Sequence, residues 1–159
     1  MPVFDLKNCS VKFKDDGSEE LTAKVYEGNF SFTEKRNVVY IKDRGLLSTV
    51  RLGDQEPLEV KIDLIWEFIS ASTGSGTPTP IEAIKGIGEA SGWASTSDDP
   101  CEPYCCDIEL INTPPCEGFD IETIILPMFR WEQIDQNTKE GQLSVTGKCN
   151  VVAVTATRS

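Results

Sequence analysis

From residue 58 every even position through 68 is apolar. Leu58, Val60, Ile62, Leu64, Trp66 and Phe68 fill the even positions, and Glu59, Lys61, Asp63, Ile65, Glu67 and Ile69 the odd ones. Successive side chains of a strand point to opposite faces, so this period predicts a long strand over 58–68 with one face in a core and the other largely wet. The C-terminal stretch repeats it, with Leu143, Val145, Cys149, Val151 and Ala153 on one face and Ser144, Thr146, Lys148 and Asn150 on the other. A third long strand is expected over 120–134, where Pro127 cannot donate to a ladder and predicts a bulge or an edge. Shorter strands are expected at 10–14, 21–26, 38–42, 49–52 and 104–111.

Only one segment reads as a helix. Thr79 can cap it, Pro80 suits its first position, and Glu82 completes a capping box. Ile81, Ile84 and Ile87 would form its apolar face, and Gly86 or Gly88 would end it, giving a helix at about 80–85 within an element spanning 80–88. The Ser/Gly/Thr stretch 70–79 is expected to be a flexible connection. The pattern as a whole is mainly β with a single helix, in one domain spanning 1–159.

Charge changes the picture more than composition does. Fifteen Lys and Arg against 26 Asp and Glu leave a net charge of −11. That sign opposes any sequence-independent grip on nucleic acid. The 159 residues include no histidine, which removes Ser-His-Asp and Cys-His nucleophile pairs, His-ligated metals and imidazole acid–base catalysis. The glycines of Gly86-Ile87-Gly88-Glu89-Ala90-Ser91-Gly92 follow the helix instead of preceding one, and Glu89 would repel phosphate, so they are not a phosphate loop. Trp66, Trp93 and Trp131 are better read as packing residues than as a base-stacking platform. No enzyme is expected, and no cofactor. The first seven residues lack a basic stretch leading into an apolar one, and no run approaches the ~20 apolar residues of a membrane helix, so a soluble chain made in the cytoplasm is expected, without membrane insertion.

The charges are also segregated. Lys35, Arg36, Lys42, Arg44 and Arg51 stand against the single acid Asp43, whereas residues 95–135 hold ten acids and only Arg130 as a base. Two solvated surfaces are the plain reading. The sharper one is a basic surface complementary to an acidic surface of a neighbour, a head-to-tail geometry that makes rings or open stacks.

Six cysteines remain: Cys9, Cys101, Cys105, Cys106, Cys116 and Cys149. Cys101, Cys105 and Cys116 are weak candidates for zinc, because one knuckle exists but the second does not. A disulfide between Cys101 and Cys116 across a loop is the more natural special role, and buried free thiols acting as small hydrophobes are the simplest reading.

The segment from Tyr40-Ile-Lys-Asp-Arg-Gly-Leu-Leu-Ser-Thr-Val-Arg-Leu-Gly through Trp66-Glu-Phe resembles bacteriophage tail tube (major tail) proteins. So do Pro80-Ile-Glu-Ala-Ile-Lys-Gly, Trp93-Ala-Ser-Thr-Ser-Asp-Asp and Ser144-Val-Thr-Gly-Lys-Cys, so that the likeness runs over about 30–158. The cysteine cluster is not part of it. The resemblance implies an antiparallel two-sheet β-sandwich or barrel with one short flanking helix and a long extended loop, 35–57, reaching between stacked rings. It implies hexameric rings stacked helically into a tube for DNA ejection, with tape measure, tail terminator and distal tail proteins as partners. DNA would pass without specific binding, and the place would be the virion tail, assembled in host cytoplasm. Lys35, Arg36, Lys42, Arg44, Leu46, Leu47 and Arg51 would make the ring-stacking interface. Glu59, Lys61, Asp63 and Glu67 would face the lumen or another subunit. The alternative is an acidic β-sandwich that serves as an interaction or carbohydrate-binding module.

Overall fold

The computed structural model describes residues 8–23, 25–65 and 78–159, with the backbone course alone at 25–28. Among the described residues ten strands, one α-helix and a 3-10 turn follow in chain order: β1 (Cys9–Lys14), β2 (Glu20–Ala23), β3 (Val25–Thr33), β4 (Arg36–Asp43), β5 (Leu46–Gln55), β6 (Leu58–Ile65), α1 (Pro80–Lys85), the turn Gly88–Ala90, β7 (Cys106–Asn112), β8 (Glu122–Asn137), β9 (Gln142–Cys149) and β10 (Thr155–Arg158). All strand pairs are antiparallel. The main path is β2-β1-β7-β8-β9-β6-β3, with β10 on β8 and the β4–β5 hairpin as a separate two-stranded sheet.

β8 is shared between two layers. Its first half pairs with β7 and β10, and its second half with β9. Between them the expected bulge at Pro127 is present: β8 carries one extra residue against β7, Met128 adopts φ 54°, and its N–H is taken up by Asp107 Oδ1 at 3.0 Å. A strand bent by a bulge can serve both sheets of a sandwich. The core lies between the layers. Val11 and Phe13 of β1, Ile108 and Leu110 of β7, and Leu126 and Phe129 of β8 meet Leu58, Val60, Ile62 and Leu64 of β6 and Leu143, Val145 and Cys149 of β9 in one buried cluster. The architecture is therefore mainly β, an antiparallel sandwich with a lone short helix.

The helix matches its local signals. Thr79 Oγ1 accepts from the Glu82 N–H, the Glu82 carboxylate accepts from the Thr79 N–H, and Gly86 closes the end at φ 68°. Ile81 and Ile84 are buried, but Ile87 is not part of the apolar face: it lies past the left-handed cap and is exposed. The Tyr104 ring packs tightly over Gly86, 3.1 Å from where a Cβ would stand, and its hydroxyl donates to Ala83 O at 3.0 Å.

Other expectations change. The alternation at 143–153 ends as a strand at Cys149, and Ala153 is exposed. The strand from Leu58 is seen to Ile65, while residues 66–69 and most of the 70–79 connection lie outside the described residues. The segment 35–57 is not a loop but a hairpin, β4 and β5 joined through Arg44 and Gly45. Both turn residues have positive φ, 54° and 81°, as a tight two-residue hairpin turn requires.

Candidate assembly surface

The hairpin is an arm. It leaves the sandwich after Thr33 and returns at Leu58, from the end of the sheet where Leu58, Cys149, Phe129 and Cys106 lie side by side across four strands. Its register opposes Val38 to Leu52 and Tyr40 to Val50, so these four share one face, which Leu47 continues opposite Lys42. Ile41, Thr49 and Arg51 fall on the other face, with Leu46 opposite Asp43 at the tip. Two bulges in β5, at Ser48 and at 53–54, bend the ribbon, and Asn37 lies so close over Gly53 that a Cβ there would stand 2.6 Å from its amide nitrogen.

What sets the arm apart is exposure of apolar side chains. Leu46, Leu47, Leu52, Tyr40 and Val50 are 60–74% exposed. A lone two-stranded ribbon is at best marginally stable in water. A contiguous apolar patch of this kind marks an interaction site. The sequence-predicted stacking residues thus divide. Leu46, Leu47, Lys42, Arg44 and Arg51 belong to the arm, and among the described residues Arg36, Lys42, Arg44 and Arg51 form no ion pair. Lys35 is already engaged: its ammonium lies 2.8 Å from Glu59 Oε1. That hydrogen bond holds Lys35 above and Glu59 below their usual ranges. Glu34 Oε1 accepts from the Val154 N–H at 3.1 Å beside it, so the base of the arm is tied to the body twice.

Glu59, Lys61 and Asp63 lie on the outer face of β6, with Ser144, Thr146 and Lys148 of β9 opposite them and the Asn29 amide donating to Asp63 Oδ2 at 3.1 Å. Glu67 lies outside the described residues. The acids of 95–135 do not form one patch. Asp98, Asp99 and Glu102 lie at the arm end, where Glu102 pairs with Arg130 at 2.9 Å. Glu109 pairs with Lys14 at 2.7 Å on the outer sheet face. Glu117, Asp120 and Glu122 lie at the opposite end, one strand length away along β7, or about 20 Å.

The same separation removes the Cys101–Cys116 disulfide. The two residues flank β7 at opposite ends, far beyond the ~7 Å between Cα atoms that a disulfide tolerates. Cys105, Cys106 and Cys149 are buried free thiols, and Cys101 and Cys116 exposed ones. Cys105 Sγ lies 3.2 Å from Thr96 Oγ1. Among the described residues no group of three or more Cys, Asp or Glu side chains is placed to hold a metal. Likewise no helix there is long and apolar enough to cross a membrane.

No family model and no curated protein matches the chain. Among solved structures it is similar to the sheath/tube terminator of an extracellular contractile injection system, PVC, in its extended state, with a TM-score of 0.61 at 10% identity over 99% of this chain and 98% of that one. At that identity what the two share is the fold.

Proposed function

We propose that this chain is a structural, non-enzymatic component of a phage-tail-like assembly, whose subunits form hexameric rings that stack into a tube. The observation that carries this reading is the arm: a hairpin with five strongly exposed apolar side chains, pinned at its base and basic toward its tip. The fold likeness to a tube terminator and the sequence resemblance to tail tube proteins favour the same class. In this reading the arm, with Lys42, Arg44, Leu46, Leu47 and Arg51, stacks rings, and Lys35 positions it through Glu59. The hydrophilic outer face bearing Glu59, Lys61 and Asp63 lines the lumen or a subunit boundary. A net charge of −11 suits a conduit through which DNA slides without binding. Tape measure, terminator and distal tail proteins would be its partners in a virion tail built in host cytoplasm.

The terminator likeness supports a second reading, a ring that ends a tube instead of extending it. Negative-stain microscopy of the purified protein separates the readings. Open-ended tubes of stacked rings are the expected result; discrete single rings at every concentration would favour the terminator. A monomer whose stability responds to glycans would replace both with the carbohydrate-binding module.

A further inference from the structure

Resting on the self-assembly reading, we infer that the arm of one copy docks on loop 113–121 of a second copy, at the end of the sandwich opposite the arm. The arm offers exposed apolar side chains with a local excess of base, since Arg36, Lys42, Arg44 and Arg51 outnumber Asp43 and Asp54 across β4 and β5. Its acceptor should be apolar, exposed and acidic.

Outside the arm, the exposed large apolar residues among the described residues are Ile65, Ile87, Phe119, Ile121, Trp131 and Val152. Trp131 carries Lys85 over its ring at 5.2 Å and neighbours Arg130, which is the wrong sign. Val152 lies beside the arm's own base. Of these, Phe119 and Ile121 sit together, within a stretch that holds Glu117, Asp120 and Glu122 and no base. Arg158 stands across the ladder from Glu122. The loop is a held platform: Thr113 N–H donates to Asn8 O at 3.0 Å, and Ile121 and Ser159 exchange two backbone hydrogen bonds of 2.8 and 3.0 Å. Arm and acceptor lie at opposite ends of one subunit, so the contact is heterologous and propagates from copy to copy.

Cys116 lies within the acceptor loop and is exposed, which makes it a probe. In full-length protein carrying Cys101→Ser, Ser48→Cys adds a thiol at the arm's bulge, and assembled material is oxidised with copper phenanthroline. The expected product is a reducible ladder of dimers, trimers and higher species linked between positions 48 and 116, lost on Cys116→Ser. Dimers that survive Cys116→Ser would mean arm meeting arm and overturn the inference. Tubes or rings in micrographs without any ladder would also overturn it, while leaving self-assembly standing. A parent chain that forms no assembly at all would overturn both.

Discussion

Buried thiols give the residue scale its clearest test. Burial pushes Cys149 up to about 12 and raises Cys106 further, whereas an ordinary thiol ionises near ~8.5. As pH rises, the unfolded chain therefore loses these protons first. Stability is intact below about pH 8.5 and falls above it by up to about 1.4 kcal/mol per pH unit for each thiol. Urea midpoints measured between pH 8 and 10.5 should fall steeply for the wild type and less steeply for Cys106→Ala, whatever that variant loses to its small cavity. Equal slopes would place the Cys106 thiol in water. In the folded protein at neutral pH, a thiol reagent should modify Cys101 and Cys116 promptly and spare Cys105, Cys106 and Cys149 until denaturant is added. Folding should be indifferent to chelator, and loss of structure on chelation would revive a metal site. Glycine sets a second constraint. A Cβ at Gly147 would lie 2.2 Å from Arg130 O and 2.7 Å from the Phe129 ring, both fixed by β8, so Gly147→Ala should cost about 1–3 kcal/mol in an unfolding titration.

Elements separate what holds the fold from what the fold presents. Leu64 is fully buried between β6 and the facing layer, and Leu64→Asp would strand a carboxylate there at several kcal/mol, a large fraction of a typical stability. It should give insoluble or unfolded protein. Leu47→Ser with Val50→Ser, on the exposed face of the arm, should move the unfolding midpoint by no more than about 0.5 kcal/mol each while abolishing assembly. The difference between these two elements also explains what could be read from sequence. β6 alternates cleanly because one face is core and one is wet, and α1 was legible because Thr79, Pro80 and Glu82 act within four residues of each other. The arm defeats periodicity. Val38, Val39, Tyr40 and Ile41 are apolar on both faces, and the bulges at Ser48 and 53–54 break the phase of β5. An apolar run signals burial, yet here Tyr40 and Ile41 are exposed and Val38 and Val39 only half-buried, and only the surrounding structure can say so. Sequence spacing likewise joined Cys101 to Cys116 and pooled ten acids, because nothing local reveals that β7 runs straight between them.

At the scale of the whole molecule, the proposed assembly would have to overcome repulsion among subunits of charge −11, and that repulsion is long-ranged where an apolar contact is not. The screening length is about 30 Å at 0.01 M salt, ~8 Å at 0.15 M and ~3 Å at 1 M. Exposed ion pairs contribute ~0–1 kcal/mol each, so in the proposed assembly Lys42 and Arg44 would not hold rings together alone; burial of Leu46 and Leu47, at ~1.5–3 kcal/mol for each side chain fully covered, would. The charges then set register and the response to salt. Lys42→Glu with Arg44→Glu shifts the net charge from −11 to −15, two units per substitution, and leaves the leucines in place. Leu46→Ser with Leu47→Ser leaves the charge untouched. Tube length by electron microscopy should collapse in both variants at low salt. Raising salt toward ~0.5 M should restore tubes in the charge variant, because added repulsion is what it suffers and screening removes it. The serine variant should stay unassembled at every salt concentration, since screening cannot replace lost apolar area. Rescue of the serine variant, or a charge variant that salt does not help, would reverse the division of labour between leucines and charges. Full-length tubes in both at low salt would remove the arm from ring stacking altogether.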